Sequence, residues 1–177
     1  MADGEASVIK IRPVGVVRGG AKRPILAYRG GELNMGDMHA PQDAPAWQEP
    51  EIVIFDEYAE CLDGIEEFSH VLVLYWSHMA AERGRGVKKV HPAGQKDLKM
   101  VGVFSTRSPA RPNPICATTV ALLAREGNVL KVRGLDAIDG SPVLDLKPHL
   151  PSFDAPEGVK LADWMLELMR RFSSGRI

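Results

Sequence analysis

The sequence predicts a mainly β protein: a small closed or nearly closed β-barrel of about seven strands, followed by a C-terminal helix. Three observations lead to this prediction. Short β-branched and aromatic runs recur along the chain, Gly and Pro signals separate them, and one long segment has helical periodicity. Many short strands of this kind favour a barrel over an open parallel sheet.

The predicted strands are runs of apolar residues bounded by turn signals. The clearest run is VLVLYW at 71–76, whose composition is typical of a strand buried on both faces. Residues 8–18 contain Pro13 and are expected at an edge or a bulge. The other predicted strands are 100–105, 118–124, 129–133 and 143–146, and the run 52–55 fits either a strand or a buried turn.

The predicted helix covers 157–172, where Leu161, Leu168 and Phe172 recur at helical spacing. A shorter helical turn at 58–68 is interrupted at Asp63-Gly64. Residues 30–50 contain three prolines and predict a long irregular loop, which is uncommon without a functional or oligomeric role. The predicted organisation is a flexible N-terminus at 1–8, a barrel domain at 9–153, and a C-terminal helix and tail at 154–177.

Composition narrows the class of protein. With 177 residues, 45% hydrophobic and 25% charged, the chain is expected to form one soluble globular domain, which excludes wholesale disorder, collagen and coiled coil. Its longest apolar runs are far shorter than the ~20 residues that span a bilayer. Asp3 and Glu5 argue against a signal peptide, and Cys61 and Cys116 alone fit a reduced protein, so we expect a cytoplasmic location.

The net charge of −1 conceals a strong segregation of charge. No Lys or Arg lies between Arg29 and Arg83, whereas from Arg83 to Arg111 the basic residues face a single acid, Asp97. A basic cluster of this density indicates either a polyanion contact or a well-solvated loop.

Residues 106–115 (TRSPARPNPI) form the first candidate site segment. Three prolines fix the backbone and remove three amide donors, so the segment is expected to be a stiff arm rather than an interior strand. It presents Arg107, Ser108, Arg111 and Asn113, and guanidinium groups suit carboxylates and phosphates. The alternative is a structural connector whose arginines cap neighbouring carbonyls.

The second candidate segment is 135–148, where Asp139-Gly140-Ser141-Pro142 predicts a tight turn between strands. Asp136, Asp145 and Lys147 lie around this turn. A carboxylate here can accept hydrogen bonds from a ligand or act as a general base, although polar turns commonly have no further role. The histidines lack the spacing of a zinc site, so no metal is expected.

These two segments carry a family resemblance. GVFSTRSP at 102–109, RPNPI at 111–115, GLD at 134–136 and DGSPVLDLKP at 139–148 resemble the YaeB/TsaA-like family, known for TrmO-type N6-methylation of tRNA. The resemblance extends upstream through FSH at 68–70 to Trp76 and His78, and covers 9–153. Two positions depart from the family pattern: Cys116 replaces a usual Gly, and Gly19-Gly20 replaces a usual Ser-Pro.

The resemblance implies a barrel that binds S-adenosylmethionine without a Rossmann fold, works as a homodimer, and methylates N6 of threonylcarbamoyladenosine beside the tRNA anticodon. The residues implied as cofactor contacts are His78, Met79, Arg107, Ser108, Asp139, Gly140, Ser141 and Pro142.

A sulfonium methyl group is already activated, so the reaction needs mainly orientation and removal of a proton. We expect Asp139 to accept this proton, with Asp136 and Asp145 as alternatives. The residues expected to contact tRNA are Arg83, Arg85, Lys88, Lys89, Arg111, Asn113 and Lys147. The stretch 83–89 lacks aromatic residues, which favours phosphate contacts over base stacking. The alternative function is an S-adenosylmethionine-binding module or a small-molecule methyltransferase.

Overall fold

The structure is a computed structural model that describes residues 8–22, 26–29, 32–35 and 49–174, with only the backbone at 26–29, 32–35 and 81–83. The N-terminal segment predicted to be flexible lies outside the described residues apart from Val8, as does the tail at 175–177.

Ten strands and three helices make up the described elements besides several 3₁₀ turns. The strands are β1 (Gly15–Arg18), β2 (Leu26–Arg29), β3 (Glu32–Met35), β4 (Glu51–Ile54), β5 (His70–Trp76), β6 (Lys89–Val90), β7 (Val101–Gly102), β8 (Ile115–Glu126), β9 (Val129–Arg133) and β10 (Pro142–Pro148). The helices are α1 (His78–Gly84), α2 (Pro151–Asp154) and α3 (Asp163–Ser173).

A closed antiparallel barrel organises the fold, in the order β1-β10-β5-β8-β9-β4, with β4 returning to pair with β1. The prediction of a mainly β closed barrel with a C-terminal helix is therefore confirmed. The barrel has six strands rather than about seven, because β2–β3 and β6–β7 form separate two-stranded sheets.

Alternate residues of the barrel strands fill its interior. On β5, Val71, Val73 and Tyr75 are buried, while the residues between them are only half-buried. The prediction that this strand is buried on both faces is therefore wrong, because an antiparallel barrel covers the inner face more completely. Burying a Val or Leu side chain contributes about 1.5–3 kcal/mol. Fully buried side chains from the other barrel strands join this core: Val17, Ile52, Val120, Leu130, Val132 and Val143.

The register around β5 brings three chain segments to one end of the barrel. Trp76 pairs with Ile115 of β8, and Tyr75 pairs with Val143 of β10. Because both pairings are antiparallel, the residues after β5, before β8 and before β10 lie together. These segments are 77–79, 106–114 and 136–141, and we call this the Trp76 end of the barrel.

Several local predictions need correction. Residues 100–105 form only the two-residue β7 and a 3₁₀ helix, Val103–Ser105. The predicted loop at 30–50 contains β3, and 30, 31 and 36–48 lie outside the described residues. The C-terminal helix begins at Asp163 rather than 157, beyond Gly158, whose φ of 68° is left-handed. α1 was not predicted.

The helical turn predicted at 58–68 is present as two 3₁₀ helices, Asp56–Leu62 and Ile65–Glu67. They are divided at Gly64, as the Asp63-Gly64 pair predicts. Within the described ranges, no helix combines the length and apolar character needed to cross a bilayer.

Candidate functional site

The Pro-rich arm, 106–114, is held by its own hydrogen bonds. Thr106 Oγ1 donates to the Val103 carbonyl at 2.8 Å and accepts from the Ser108 amide at 3.2 Å. Ser108 Oγ accepts from the Ala110 amide at 3.2 Å, and Ser108 is buried. These bonds give the arm a defined shape, as the three prolines predict.

The two arginines of the arm have different contacts. Arg111 donates from Nε to the Ser108 carbonyl at 2.7 Å and from Nη2 to the Thr106 carbonyl at 2.6 Å. Arg111 therefore caps carbonyls within the arm, which is the structural alternative considered above. Arg107 is exposed and donates from Nη2 to the Ala117 carbonyl of β8.

The arm is seated against α1 and the segment that follows it. Ala110 is buried with Val87 and Val90, and a Cβ at Gly84 would lie 2.7 Å from Ala110 Cα. The end of α1 and the arm therefore pack backbone to backbone, an approach that only glycine allows.

A cluster of one carboxylate, Asp136, and two hydroxyl groups lies beside the arm at the Trp76 end. Tyr75 Oη donates to Asp136 Oδ1 at 2.9 Å, and Thr118 Oγ1 donates to the same oxygen. Tyr75 is buried, while Asp136 is exposed between β9 and β10. Two hydroxyl groups on barrel strands, those of Tyr75 and Thr118, thus fix the exposed Asp136 carboxylate by hydrogen bonds.

Burial keeps the neutral groups of this cluster protonated. It raises the pKa of the Tyr75 hydroxyl far above its usual range, and the Asp136 charge raises it further. Burial also raises the pKa of the Cys116 thiol, with the Asp136 charge as the next cause. At neutral pH Tyr75 is therefore a hydrogen-bond donor, and Cys116 is a neutral thiol rather than a nucleophile.

The predicted Asp139-Gly140-Ser141-Pro142 turn is tied to the chain after β1. Asp139 Oδ1 accepts from the Gly19 amide at 2.8 Å, and the Asp139 amide donates to the Ala21 carbonyl at 2.9 Å. A Cβ at Gly20 would lie 2.6 Å from the Ala137 carbonyl oxygen. Gly20 therefore permits a close approach of the two backbones at this turn.

His78 joins the same turn from the start of α1. His78 Nδ1 lies 3.3 Å from Ser141 Oγ, and Ser141 is 1% exposed. Met79 is half exposed next to it. Gly140 has a φ of 76°, and nothing lies within 4 Å of the position that a Cβ would take, so the backbone there is open to a ligand.

Two predicted site residues lie elsewhere. Asp145 Oδ2 pairs with Lys147 Nζ at 2.7 Å, opposite Leu74 and Leu72 on the outer face of the barrel. The structure therefore does not bring Asp145 and Lys147 together with Asp136.

The basic segment begins immediately beyond α1. Arg85 Cζ lies 5.9 Å from the centroid of the Trp76 ring, which is a cation–π distance. Lys88 and Lys89 are exposed, Asn113 is exposed on the arm, and the Arg83 side chain lies outside the described part of the chain. Asp97 Oδ2 contacts Arg171 Nη2 of α3 at 2.8 Å, a hydrogen bond that lowers the pKa of Asp97.

Sequence reasoning missed Tyr75 and Thr118 as site residues. Both have the composition of ordinary strand residues. Only the pairing of β5 with β8 brings their side chains together at Asp136. The available signal was a tyrosine that follows four aliphatic residues of a buried strand, since a buried hydroxyl requires a partner.

The sequence model of the tRNA-methyltransferase O N-terminal domain matches residues 37–155. The chain belongs to this family. All predicted site residues of this tRNA-methyltransferase O family member lie within the matched range.

Relatives and solved structures agree with the family. A probable S-adenosyl-L-methionine-binding protein from Methanothermobacter thermautotrophicus is 47% identical over 152 residues, covering 83% of this chain and 94% of that protein. A human tRNA (adenine(37)-N6)-methyltransferase is 41% identical over 116 residues, covering 64% of this chain and 26% of that enzyme.

The crystal structure of TrmO from Pseudomonas aeruginosa superimposes with a TM-score of 0.60 at 29% identity, covering 89% of this chain and 64% of that one. The chain therefore spans somewhat less than two thirds of the solved TrmO chain and about a quarter of the human enzyme.

Proposed function

We propose that this protein transfers a methyl group from S-adenosylmethionine to N6 of an adenosine in tRNA, the threonylcarbamoyl-modified adenosine beside the anticodon. At the level of the family, the cofactor and the reaction class predicted from the sequence are confirmed. The identity of the modified adenosine rests on the resemblance stated from the sequence.

The donor set at the Trp76 end fits the cofactor. Arg107 offers a guanidinium to an amino-acid carboxylate, and Asp139 Oδ2 offers an acceptor to an amine or a ribose hydroxyl. The open backbone at Gly140 and the exposed Met79 offer polar and apolar contact next to the His78–Ser141 pair. When bound, the cofactor supplies an activated methyl group, and the protein residues supply orientation.

The observation that carries the proposed chemistry is the Asp136 carboxylate held by Tyr75 and Thr118. Methylation of N6 requires that the nitrogen lose a proton, and a carboxylate at the site can accept it. Both donors bond to Oδ1, which orients the carboxylate with Oδ2 as the oxygen for substrate. We therefore assign the proton acceptor to Asp136.

The contacts favour Asp136 over the other two candidate carboxylates. Asp139 bonds through Oδ1 to the Gly19 amide and thereby fixes its own turn. Asp145 is paired with Lys147 on the outer face of the barrel. The role of Asp139 in this proposal is to shape the cofactor site.

The proposed tRNA contacts are the cations beyond α1. Arg85, Lys88 and Lys89 are exposed close to the arm that carries Arg107, which suits contact with phosphates. Arg83 and Asn113 stay predictions. Arg111 is engaged within the arm and Lys147 with Asp145, so we place neither in the proposed tRNA surface.

The deciding experiment measures transfer of labelled methyl groups from S-adenosylmethionine to tRNA. Native total tRNA and unmodified transcripts of the same tRNAs are compared, followed by nucleoside analysis. Transfer to native tRNA alone supports the threonylcarbamoyl substrate, and equal transfer to both contradicts it. Cofactor binding without transfer to either RNA favours the binding module named for the archaeal relative.

We also propose a homodimer in the cytoplasm. Half-exposed apolar side chains of α3, Leu166, Met169 and Phe172, support an interface, since contiguous exposed apolar surface marks interaction sites. A monomeric mass by light scattering at micromolar concentration would contradict the dimer.

A further inference from the structure

We infer that the Phe104 ring stacks on a base of the RNA substrate. This inference rests on the proposed function, because it takes RNA to be the ligand. Phe104 is 80% exposed, while its neighbour Val103 is 3% exposed. Burying a Phe side chain contributes about 1.5–3 kcal/mol, and Phe104 forgoes most of it. Folding alone therefore does not account for this aromatic residue.

The backbone on both sides of Phe104 is fixed. Phe104 is the middle residue of the 3₁₀ helix Val103–Ser105. The Val103 amide donates to the Lys88 carbonyl at 2.9 Å, and the Val103 carbonyl accepts from the Thr106 amide at 3.0 Å and from Thr106 Oγ1 at 2.8 Å. A ring presented from a fixed backbone loses little conformational entropy on binding, which favours its use as a contact residue.

Two lysines lie next to this turn through backbone pairing. The pairing of β6 with β7 places Lys89 opposite Gly102, and the Lys88 carbonyl bonds directly to Val103. Lys88 and Lys89 are exposed. Asp97, the single acid from Arg83 to Arg111, is held by Arg171 of α3 at 2.8 Å, so it offsets little of this charge.

An aromatic ring among cations matches a nucleotide better than an apolar protein surface. A nucleotide offers a flat base and a phosphate together, and single-strand binding proteins combine aromatic stacking with a basic groove in this way. The stretch 83–89 itself lacks aromatic residues, but the backbone hydrogen bond from Val103 to Lys88 brings the turn that carries Phe104 next to it. Phe104 also leads into the arm that carries Arg107, which places the stacked base at the edge of the site.

The test measures RNA affinity as a function of salt for wild type, Phe104→Ala, Phe104→Leu and Phe104→Trp. Stacking contributes about 1–3 kcal/mol per base, so we expect Phe104→Ala to weaken binding of total tRNA about 5- to 150-fold. Phe104→Leu is expected to fail likewise and Phe104→Trp to bind as wild type. The log–log salt slope stays unchanged, because no ionic contact is lost.

Phe153→Ala is the matched control. Phe153 is also 80% exposed, but it lies in α2, beyond the other end of β10, so this variant should bind tRNA as wild type. Calorimetry with S-adenosylmethionine and the mass in light scattering are measured for each variant, and neither should change in Phe104→Ala.

Unchanged tRNA affinity in Phe104→Ala overturns the inference. So does a loss of cofactor affinity, which would assign the ring to the cofactor, or a loss of dimer mass, which would assign it to a second copy. An oligoadenylate of about 15 nucleotides separates this inference from the proposed substrate. If the wild-type protein binds oligoadenylate through Phe104 but does not bind tRNA, the proposed tRNA substrate is rejected and the stacking role stands. If the wild-type protein binds neither RNA, both the substrate and the stacking role are rejected.

Discussion

The Tyr75 hydroxyl donates to Asp136 Oδ1 over 2.9 Å and so joins the barrel core to the surface carboxylate. Tyr75 is buried on β5, and Asp136 lies exposed in the segment between β9 and β10. Burial and, next, the carboxylate charge raise the pKa of Tyr75 far above its usual range, so the hydroxyl keeps its proton at neutral pH and donates to Asp136.

Tyr75→Phe removes this donor and keeps the ring. We expect kcat for tRNA methylation to fall about 10- to 150-fold, which corresponds to about 1.5–3 kcal/mol, the range for a hydrogen bond to a charged group. The affinity for S-adenosylmethionine, measured by calorimetry, should stay close to wild type. A purely structural role for Tyr75 would instead lower the melting temperature and the cofactor affinity together with kcat.

Asp136→Asn tests the proposal that Asp136, rather than Asp139, accepts the proton. General-base catalysis contributes about 10²- to 10⁴-fold, and we expect a loss of kcat in that range with cofactor affinity retained. Asp145→Asn is the matched control, because Asp145 lies on the outer face. In Asp139→Asn the amide oxygen still accepts from Gly19, so we expect weaker cofactor binding with kcat close to wild type. A larger loss of kcat in Asp139→Asn would return the role of proton acceptor to Asp139.

Gly20→Ala tests the close approach between the chain after β1 and the Asp139 turn. The added Cβ would meet the Ala137 carbonyl oxygen at 2.6 Å and the Asp139 amide nitrogen at 2.9 Å. We expect a loss of about 1–3 kcal/mol in the free energy of unfolding, measured in urea. Gly86→Ala is the control, since nothing lies within 4 Å of its Cβ position, and equal stability of the two variants would contradict the close approach.

The two cysteines are expected to react with iodoacetamide at different rates. Cys61 is exposed, whereas burial and the Asp136 charge raise the pKa of the half-buried Cys116 thiol. The thiolate is the reactive form, so at neutral pH Cys116 is modified more slowly, and its rate rises only as the pH passes above the usual thiol range. Mass spectrometry of the peptides measures both rates, and unfolding in urea should make them equal. Faster labelling of Cys116 in the folded protein would contradict its protected position.

The sequence predicts the barrel well and the site unevenly, for physical reasons. Strand composition and turn signals are local, so 129–133 and the C-terminal helix are recovered, and the Pro-rich arm forms no interior strand, as predicted. The Tyr75–Asp136 bond depends on a register between distant segments, which no local pattern encodes. Asp145 and Lys147 lie near the turn in sequence but on the outer face, because the β-bulge between Val143 and Asp145 turns Leu146 rather than Asp145 toward the core.

Arg107 and Arg111 share a motif, yet their contacts predict opposite effects of substitution. Arg111 donates to two carbonyls of the arm, so Arg111→Ala should lower the free energy of unfolding by about 1–3 kcal/mol. Arg107 is exposed, and in the proposed function it offers its charge to the cofactor, so Arg107→Ala should weaken S-adenosylmethionine binding about 10- to 150-fold while unfolding stays close to wild type. Calorimetry with the cofactor and urea unfolding on both variants measure the two quantities. If Arg107→Ala keeps wild-type cofactor affinity and loses stability instead, its bond to the Ala117 carbonyl is its function, and the carboxylate of the cofactor is bound elsewhere.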